Sequence, residues 1–118
     1  MARKKVYLYA RVSTDNQQSG LESQCRALKK FCEQNEITNY ELFTDENISG
    51  AKSSRPSLNR MMESIRRGEA EKVIVFSFSR FARSTTHLLS ALQEFKKHSV
   101  QFVSLSEKID TESAMGVA

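Results

Sequence analysis

A three-layer α/β fold, with a mostly parallel central sheet and helices on both of its faces, is predicted by two regularities of the sequence. Short apolar runs of strand length stand at Val6–Ala10, Tyr40–Phe43, Val73–Phe76 and Val100–Leu105. Between them lie longer stretches whose apolar residues recur every three or four positions, the spacing of one helix face. Strand and helix signals in strict alternation favour parallel strands joined by helical crossovers.

Val6–Ala10 is apolar and aromatic without a polar alternate and is bounded by Lys5 and Arg11, as suits a strand buried on both faces. Thr14–Gly20 is polar and reads as a loop. Leu21, Cys25, Leu28 and Cys32 then mark one helix face, with Phe31 beside it. Asn35–Asn39 interrupts that pattern before Tyr40–Phe43, and Thr44–Ser54 is polar again, an exposed loop beyond a strand end. Pro56 suits the first turn of a second helix, whose buried stripe is Leu58, Met61, Met62 and Ile65 and which Gly68 ends. Val73–Phe76 is strongly apolar and β-branched, the best central strand. Ser84, Thr85 or Thr86 caps a third helix with the apolar face Leu88, Leu89, Leu92 and Phe95 and with Lys96 and Lys97 at its negative end. Val100–Leu105 is the last strand. Phe78 and Phe81 read as packing residues.

With 118 residues the chain has the size of one domain, 1–118, able to bury a core unaided. Hydrophobic residues at 39% and charged residues at 27% exclude a disordered chain, and the amino terminus is too briefly apolar for a signal or membrane segment, so a cytoplasmic protein is expected. The net charge of +4 leans toward a polyanionic partner. Cys25 and Cys32 lie on the apolar helix face with no further Cys or His pair at metal spacing, and are expected in the core with no metal.

Ligands of a parallel sheet bind beyond the carboxyl ends of its strands. Arg11 and Ser13 follow the first strand; Asp45, Ser49 and Arg55 the second; Ser79, Arg80 and Arg83 the third. Guanidinium forks suit phosphate oxygens, and a helix already begun at Arg80 would put Arg83 on the same face. Neither a glycine-rich dinucleotide fingerprint nor a phosphate loop is present, so no nucleotide cofactor is expected. The histidines, His87 and His98, both lie along the third helix, which argues against a Ser-His-Asp triad. A nucleophilic Ser13 would then depend on arginines, which favour its ionised form and stabilise a pentavalent phosphoryl transition state. The residues alone also suit a non-catalytic phosphate- or DNA-binding α/β module.

Tyr9-Ala10-Arg11-Val12-Ser13-Thr14, Leu21-Glu22-Ser23-Gln24, Phe43-Thr44-Asp45 with Ser49-Gly50, and Ser79-Arg80-Phe81-Ala82-Arg83-Ser84 occur in this order. Together they resemble the catalytic domain of serine recombinases of the resolvase/invertase family, from about Val6 to the end of the chain. The resemblance implies a resolvase-like core in which Ser13 attacks the scissile phosphate of double-stranded DNA and joins the 5′ end. Arg11, Arg80 and Arg83 match its phosphate-binding arginines and Arg55 a further one, while Gln24, Asp45 and Ser49 match supporting positions. It implies no metal, nucleotide or small-molecule substrate, and a homodimer that assembles to a tetramer in the full-length protein.

Ser79 stands where family members commonly carry aspartate, which leaves Asp45 as the nearest other carboxylate by motif. The segment Asp110–Gly116 resembles the start of a long intersubunit helix leading to a separate DNA-binding domain. The 118 residues are accordingly expected to be a catalytic fragment, inactive and a feeble DNA binder alone, with the Ser13 loop and its arginines only partly assembled.

Overall fold

The computed structural model describes residues 5–11, 18–45, 56–82 and 84–111. The predicted alternation of strand and helix is present. Strand β1 (Lys5–Arg11) is followed by α1 (Gln18–Gln34), β2 (Tyr40–Asp45), α2 (Pro56–Arg66), β3 (Ala70–Val75), a short α3 (Phe78–Phe81), α4 (Thr85–Lys97), β4 (Gln101–Ser104) and β5 (Ile109–Asp110). One sheet holds all five strands in the order β2-β1-β3-β4-β5, parallel except for the antiparallel β4–β5 pair.

The unbroken apolar run of β1 has the consequence expected of it, because its side chains alternate between two separate cores. Val6, Leu8 and Ala10 pack with Leu28 and Cys32 of α1 on one face. Tyr7 and Tyr9 face the other side, where Leu58, Met61, Met62 and Ile65 of α2, Phe81 of α3 and Phe95 of α4 lie. The sheet is thus covered on both faces, the arrangement that lets parallel strands be wholly apolar. At the end of α2, Gly68 takes φ +79, a left-handed conformation that glycine adopts without the steric penalty of a Cβ.

Four local expectations are corrected. Helix α1 begins at Gln18, so the loop read over Thr14–Gly20 is shorter than its polar composition suggested. Leu89 is 55% exposed, and the buried residues of α4 are Ala91 and Phe95, with Leu88 and Leu92 packed at the edge. Ile109–Asp110 pairs with Val103–Ser104 as a fifth strand, so Asp110 is not helical. Thr111 Oγ1 accepts the Phe102 N–H at 2.9 Å, which fastens the chain to β4 just after that strand. The fourth correction, at Ala82, belongs to the site below. Among the described residues no helix is long and apolar enough to cross a membrane.

Cys32 is fully buried and Cys25 half-buried, in agreement with the core reading. Burial pushes the Cys32 thiol above its ordinary range, with the nearby Lys72 charge acting weakly against it. Because the thiolate is the reacting species, iodoacetamide at neutral pH is expected to label Cys25 in the folded protein and Cys32 only after unfolding. Equal labelling of both in native protein, read by mass spectrometry, would contradict this packing.

Helices α2 and α4 are tied at the surface by Arg66, whose Nε and Nη2 donate to the Glu94 carboxylate, the latter at 3.2 Å. That hydrogen bond is the main reason Glu94 is held below the usual carboxylate range. A carboxyl group whose folded pKa is depressed stabilises the fold at pH above its unfolded value, and that contribution disappears as pH falls through the folded pKa. Glu94→Gln is therefore expected to cost about 0.5 kcal/mol at pH 7, the scale of an exposed ion pair, and nothing at about pH 2. Urea midpoints at the two pH values measure it, and an equal loss at both would refute the ionic contribution.

Candidate active site

The carboxyl end of β1 is held by an element on the opposite side of the chain from its arginine contact. Gln24 of α1 is 3% exposed, and its amide turns to the backbone of Arg11. Nε2 donates to the Arg11 carbonyl at 3.0 Å, and Oε1 accepts the Arg11 N–H at 3.3 Å. The pairing of β1 with β3 stops at Tyr9 and Val75, so this amide supplies, at Arg11, the two bonds that a further strand would make. Gln24 therefore fixes where the chain leaves β1, two residues ahead of Ser13 in the sequence.

The Arg11 side chain crosses to the turn after β3. Its Nη2 donates to the carbonyl of Ser79 at 3.0 Å. Ser79 and Arg80 belong to α3, a helix of four residues whose backbone bonds run from Arg80 N–H to the Ser77 carbonyl at 3.2 Å and from Ala82 N–H to the Phe78 carbonyl at 2.7 Å. Ser77 caps it, extended at φ −156 and ψ 163, with its Oγ accepting the Arg80 N–H at 3.3 Å. Ser79 Oγ lies 3.2 Å from Ser77 Oγ. The Glu107 carboxylate accepts the Phe78 N–H at 3.2 and 3.4 Å and the Ser104 hydroxyl. Phe81 anchors the turn from below, its ring centroid 5.4 Å from that of Phe102 and 5.8 Å from that of Phe95.

Beyond Phe81 the backbone is extended at Ala82, with φ −112 and ψ 148, and α4 starts afresh with Ser84 as its cap. The helix that holds Arg80 thus ends at Phe81 and does not run on, as a shared face for Arg80 and Arg83 requires; Arg83 itself lies outside the described residues. The reason is that Ser77 and Ser84 each begin a separate helix, each accepting an N–H three residues on.

Asp45 is the last residue of β2 rather than part of a loop, and it is the Cα partner of Arg11. Only 4% exposed, it spends both oxygens on the fold. Oδ2 accepts the Tyr9 hydroxyl at 2.7 Å and the Leu58 N–H at 3.1 Å, and Oδ1 accepts the Ser57 N–H at 3.0 Å. The Ser57 hydroxyl returns to the Thr44 carbonyl at 2.6 Å. A carboxylate at the first amides of α2 also meets the positive end of the helix dipole. Asp45 is therefore directed at α2, and its bonds clasp the two ends of the stretch 46–55.

Of the residues singled out in the sequence, Arg11, Gln24 and Ser79 are joined by direct hydrogen bonds, and Arg80 sits beside Ser79, half-buried. Ser13, Ser49, Arg55 and Arg83 lie outside the described residues. Tyr9, Ser57, Ser77, Ser104 and Glu107 were not singled out as site residues, although they hold this end of the sheet together. Ser77 is signalled by its place between an apolar strand and Phe78; Glu107, 29 residues from Phe78, has no local signal.

Comparison with known proteins bears on this end of the sheet. The family model described as "Resolvase, N terminal domain" matches residues 6–118. The Transposon Tn917 resolvase of Enterococcus faecalis is 34% identical over 114 residues, 94% of this chain and 54% of its own length. The serine recombinase gin of Escherichia phage Mu is 33% identical over 108 residues, 92% of this chain and 50% of its own. The chain thus spans about half the length of these curated relatives. Among solved structures, the N-terminal catalytic domain of TP901-1 integrase superposes with a TM-score of 0.82 at 37% identity, covering 97% of this chain and 87% of that one. A resolvase family site-specific recombinase from Streptococcus pneumoniae gives 0.77 at 39% identity, covering 93% and 77%. The family match over residues 6–118 and the superposition over nearly the whole chain agree, and the protein belongs to the resolvase N-terminal domain family.

Proposed function

We propose that these 118 residues are the catalytic part of a serine site-specific DNA recombinase, acting on double-stranded DNA within a longer protein that pairs and then forms a tetramer. The observation that carries the reading is the bond from Arg11 to the Ser79 carbonyl. It ties the end of β1, from which Ser13 follows, to the turn that bears Arg80. The Ser13 oxygen attacks the scissile phosphorus and gives up its proton. The bond from phosphorus to the 3′ oxygen breaks, that oxygen takes a proton, and the 5′ phosphate remains on Ser13. After strands exchange, a 3′ hydroxyl attacks the phosphoserine and restores the backbone. Each step exchanges one phosphoester for another, so the sequence of steps needs no nucleotide. Arg11, Arg80, Arg83 and Arg55 supply positive charge where the phosphoryl oxygens gain negative charge.

The test is a denaturing gel of the full reading frame incubated with its crossover-site DNA. A denaturation-resistant protein–DNA linkage, mapped by peptide digestion to the segment containing Ser13, supports the proposal. Absence of any linkage, where the protein demonstrably assembles on that DNA, favours a non-catalytic phosphate-binding module.

A further inference from the structure

We propose that Glu107 is a positioning residue for the arginine-bearing turn, an inference that rests on the function proposed above. Helix α3 has four residues and a single turn of backbone bonds, too little to define its own position, because short helices are unstable without outside contacts. Its placement comes from its ties to other parts of the chain. Phe81 is buried in the aromatic cluster at one end, Arg11 holds the Ser79 carbonyl in the middle, and the Glu107 carboxylate holds the first N–H at Phe78.

Of these ties only Glu107 brings a negative charge to the amino-terminal end of the turn. A bond from a backbone N–H to a carboxylate is stronger than one to a neutral acceptor. Glu107 is itself held. The fully buried Ser104 donates its hydroxyl to Oε1, and the turn around Glu107 is pinned along the exit of β3 by Leu105 N–H to the Val75 carbonyl at 3.1 Å and Ser106 N–H to the Phe76 carbonyl at 2.8 Å. Lys108, at φ 57, then turns the chain into β5. The position of Ser79 and Arg80 is thereby linked to the turn between β4 and β5. Neither the strand-end rule nor the motifs pointed to this carboxylate.

Glu107→Ala in the full-length protein is expected to slow formation of the Ser13–DNA linkage about tenfold while leaving DNA affinity nearly unchanged and lowering the melting temperature by only a few degrees, the loss of the acceptor of the buried Ser104 hydroxyl. Glu107→Gln, which keeps an acceptor and loses the charge, should fall between. Ser79→Asp placed in the Glu107→Ala background returns a carboxylate to the first turn of α3 and should recover most of the rate, a larger gain than Ser79→Asp gives with Glu107 present, which a merely stabilising role for Glu107 does not predict. A wild-type rate in Glu107→Ala, a loss that only follows the unfolded fraction, or no recovery with Ser79→Asp overturns the proposal.

Should the wild type itself form no linkage, the recombinase reading fails, and Glu107 is judged on the 118-residue chain by amide exchange. Phe78 and Arg80 are expected to exchange at least about tenfold faster in Glu107→Ala, with β3 and the body of α4 unaffected. Unchanged exchange at Phe78 and Arg80 overturns the positioning role independently of any activity.

Discussion

Ser13→Ala is expected to abolish the covalent protein–DNA linkage, lowering its rate of formation by at least about four orders of magnitude, as loss of an enzyme's nucleophile does. DNA affinity should stay within about twofold, because a serine hydroxyl adds no charge to an interface dominated by phosphates and cations. The split between chemistry and binding is what distinguishes a nucleophile from a contact residue. It also separates Ser13 from a rival at the same end of the sheet. Ser79 is an exposed serine next to Arg80, and its carbonyl already receives the Arg11 guanidinium. Its hydroxyl, however, lies 3.2 Å from that of Ser77, within the capping arrangement of α3. Rapid-quench cleavage by Ser13→Ala and Ser79→Ala decides between them. A linkage that survives in Ser13→Ala and vanishes in Ser79→Ala would move the nucleophile to the turn after β3.

The parts of the fold readable from the sequence are those whose cause is local. Val6–Ala10 and Val73–Val75 announce themselves as central strands because both faces of each are covered, leaving no polar alternate, whereas Phe76, read with the latter, lies just past the end of β3. The stripe of α2 is equally plain, since Leu58, Met61, Met62 and Ile65 are all buried on one face. Gln24 carries a signal that periodicity can recover, for it stands four residues before the buried Leu28, on the core side of α1 rather than toward solvent. Helix α3 was hidden because its supports are remote: Arg11 is 68 residues from Ser79 and Glu107 is 29 residues from Phe78. Strand β5 has two residues and exists through its contacts with β4, including the Gln101 amide on the Asp110 carboxylate. A tally of polar residues at strand ends finds Arg11, Asp45, Ser79 and Arg80. Which of them face each other depends on bonds that no spacing encodes.

Asp45 shows the consequence. By motif it was the nearest carboxylate to stand in beside Arg80, but its three accepted bonds go to Tyr9 and to the first amides of α2. Asp45→Ala is accordingly expected to act first on stability. It leaves the Tyr9 hydroxyl and two backbone N–H groups without their acceptor in a buried place and removes the cap of α2, a loss of about 3 kcal/mol. For a domain of this size that is a fall of about 12 °C in melting temperature. Asp45→Asn should land between the two, because one amide oxygen cannot replace both carboxylate oxygens: whichever way the amide turns, its NH2 meets the N–H of Ser57 or of Leu58. Tyr9→Phe removes one of the three bonds and should cost about 1 kcal/mol. The order wild type, Tyr9→Phe, Asp45→Asn, Asp45→Ala in thermal melts is the expected result. A melting temperature of Asp45→Ala within about 1 °C of wild type, with cleavage lost, would instead make Asp45 a residue of the chemistry and remove its role as the clasp between β2 and α2.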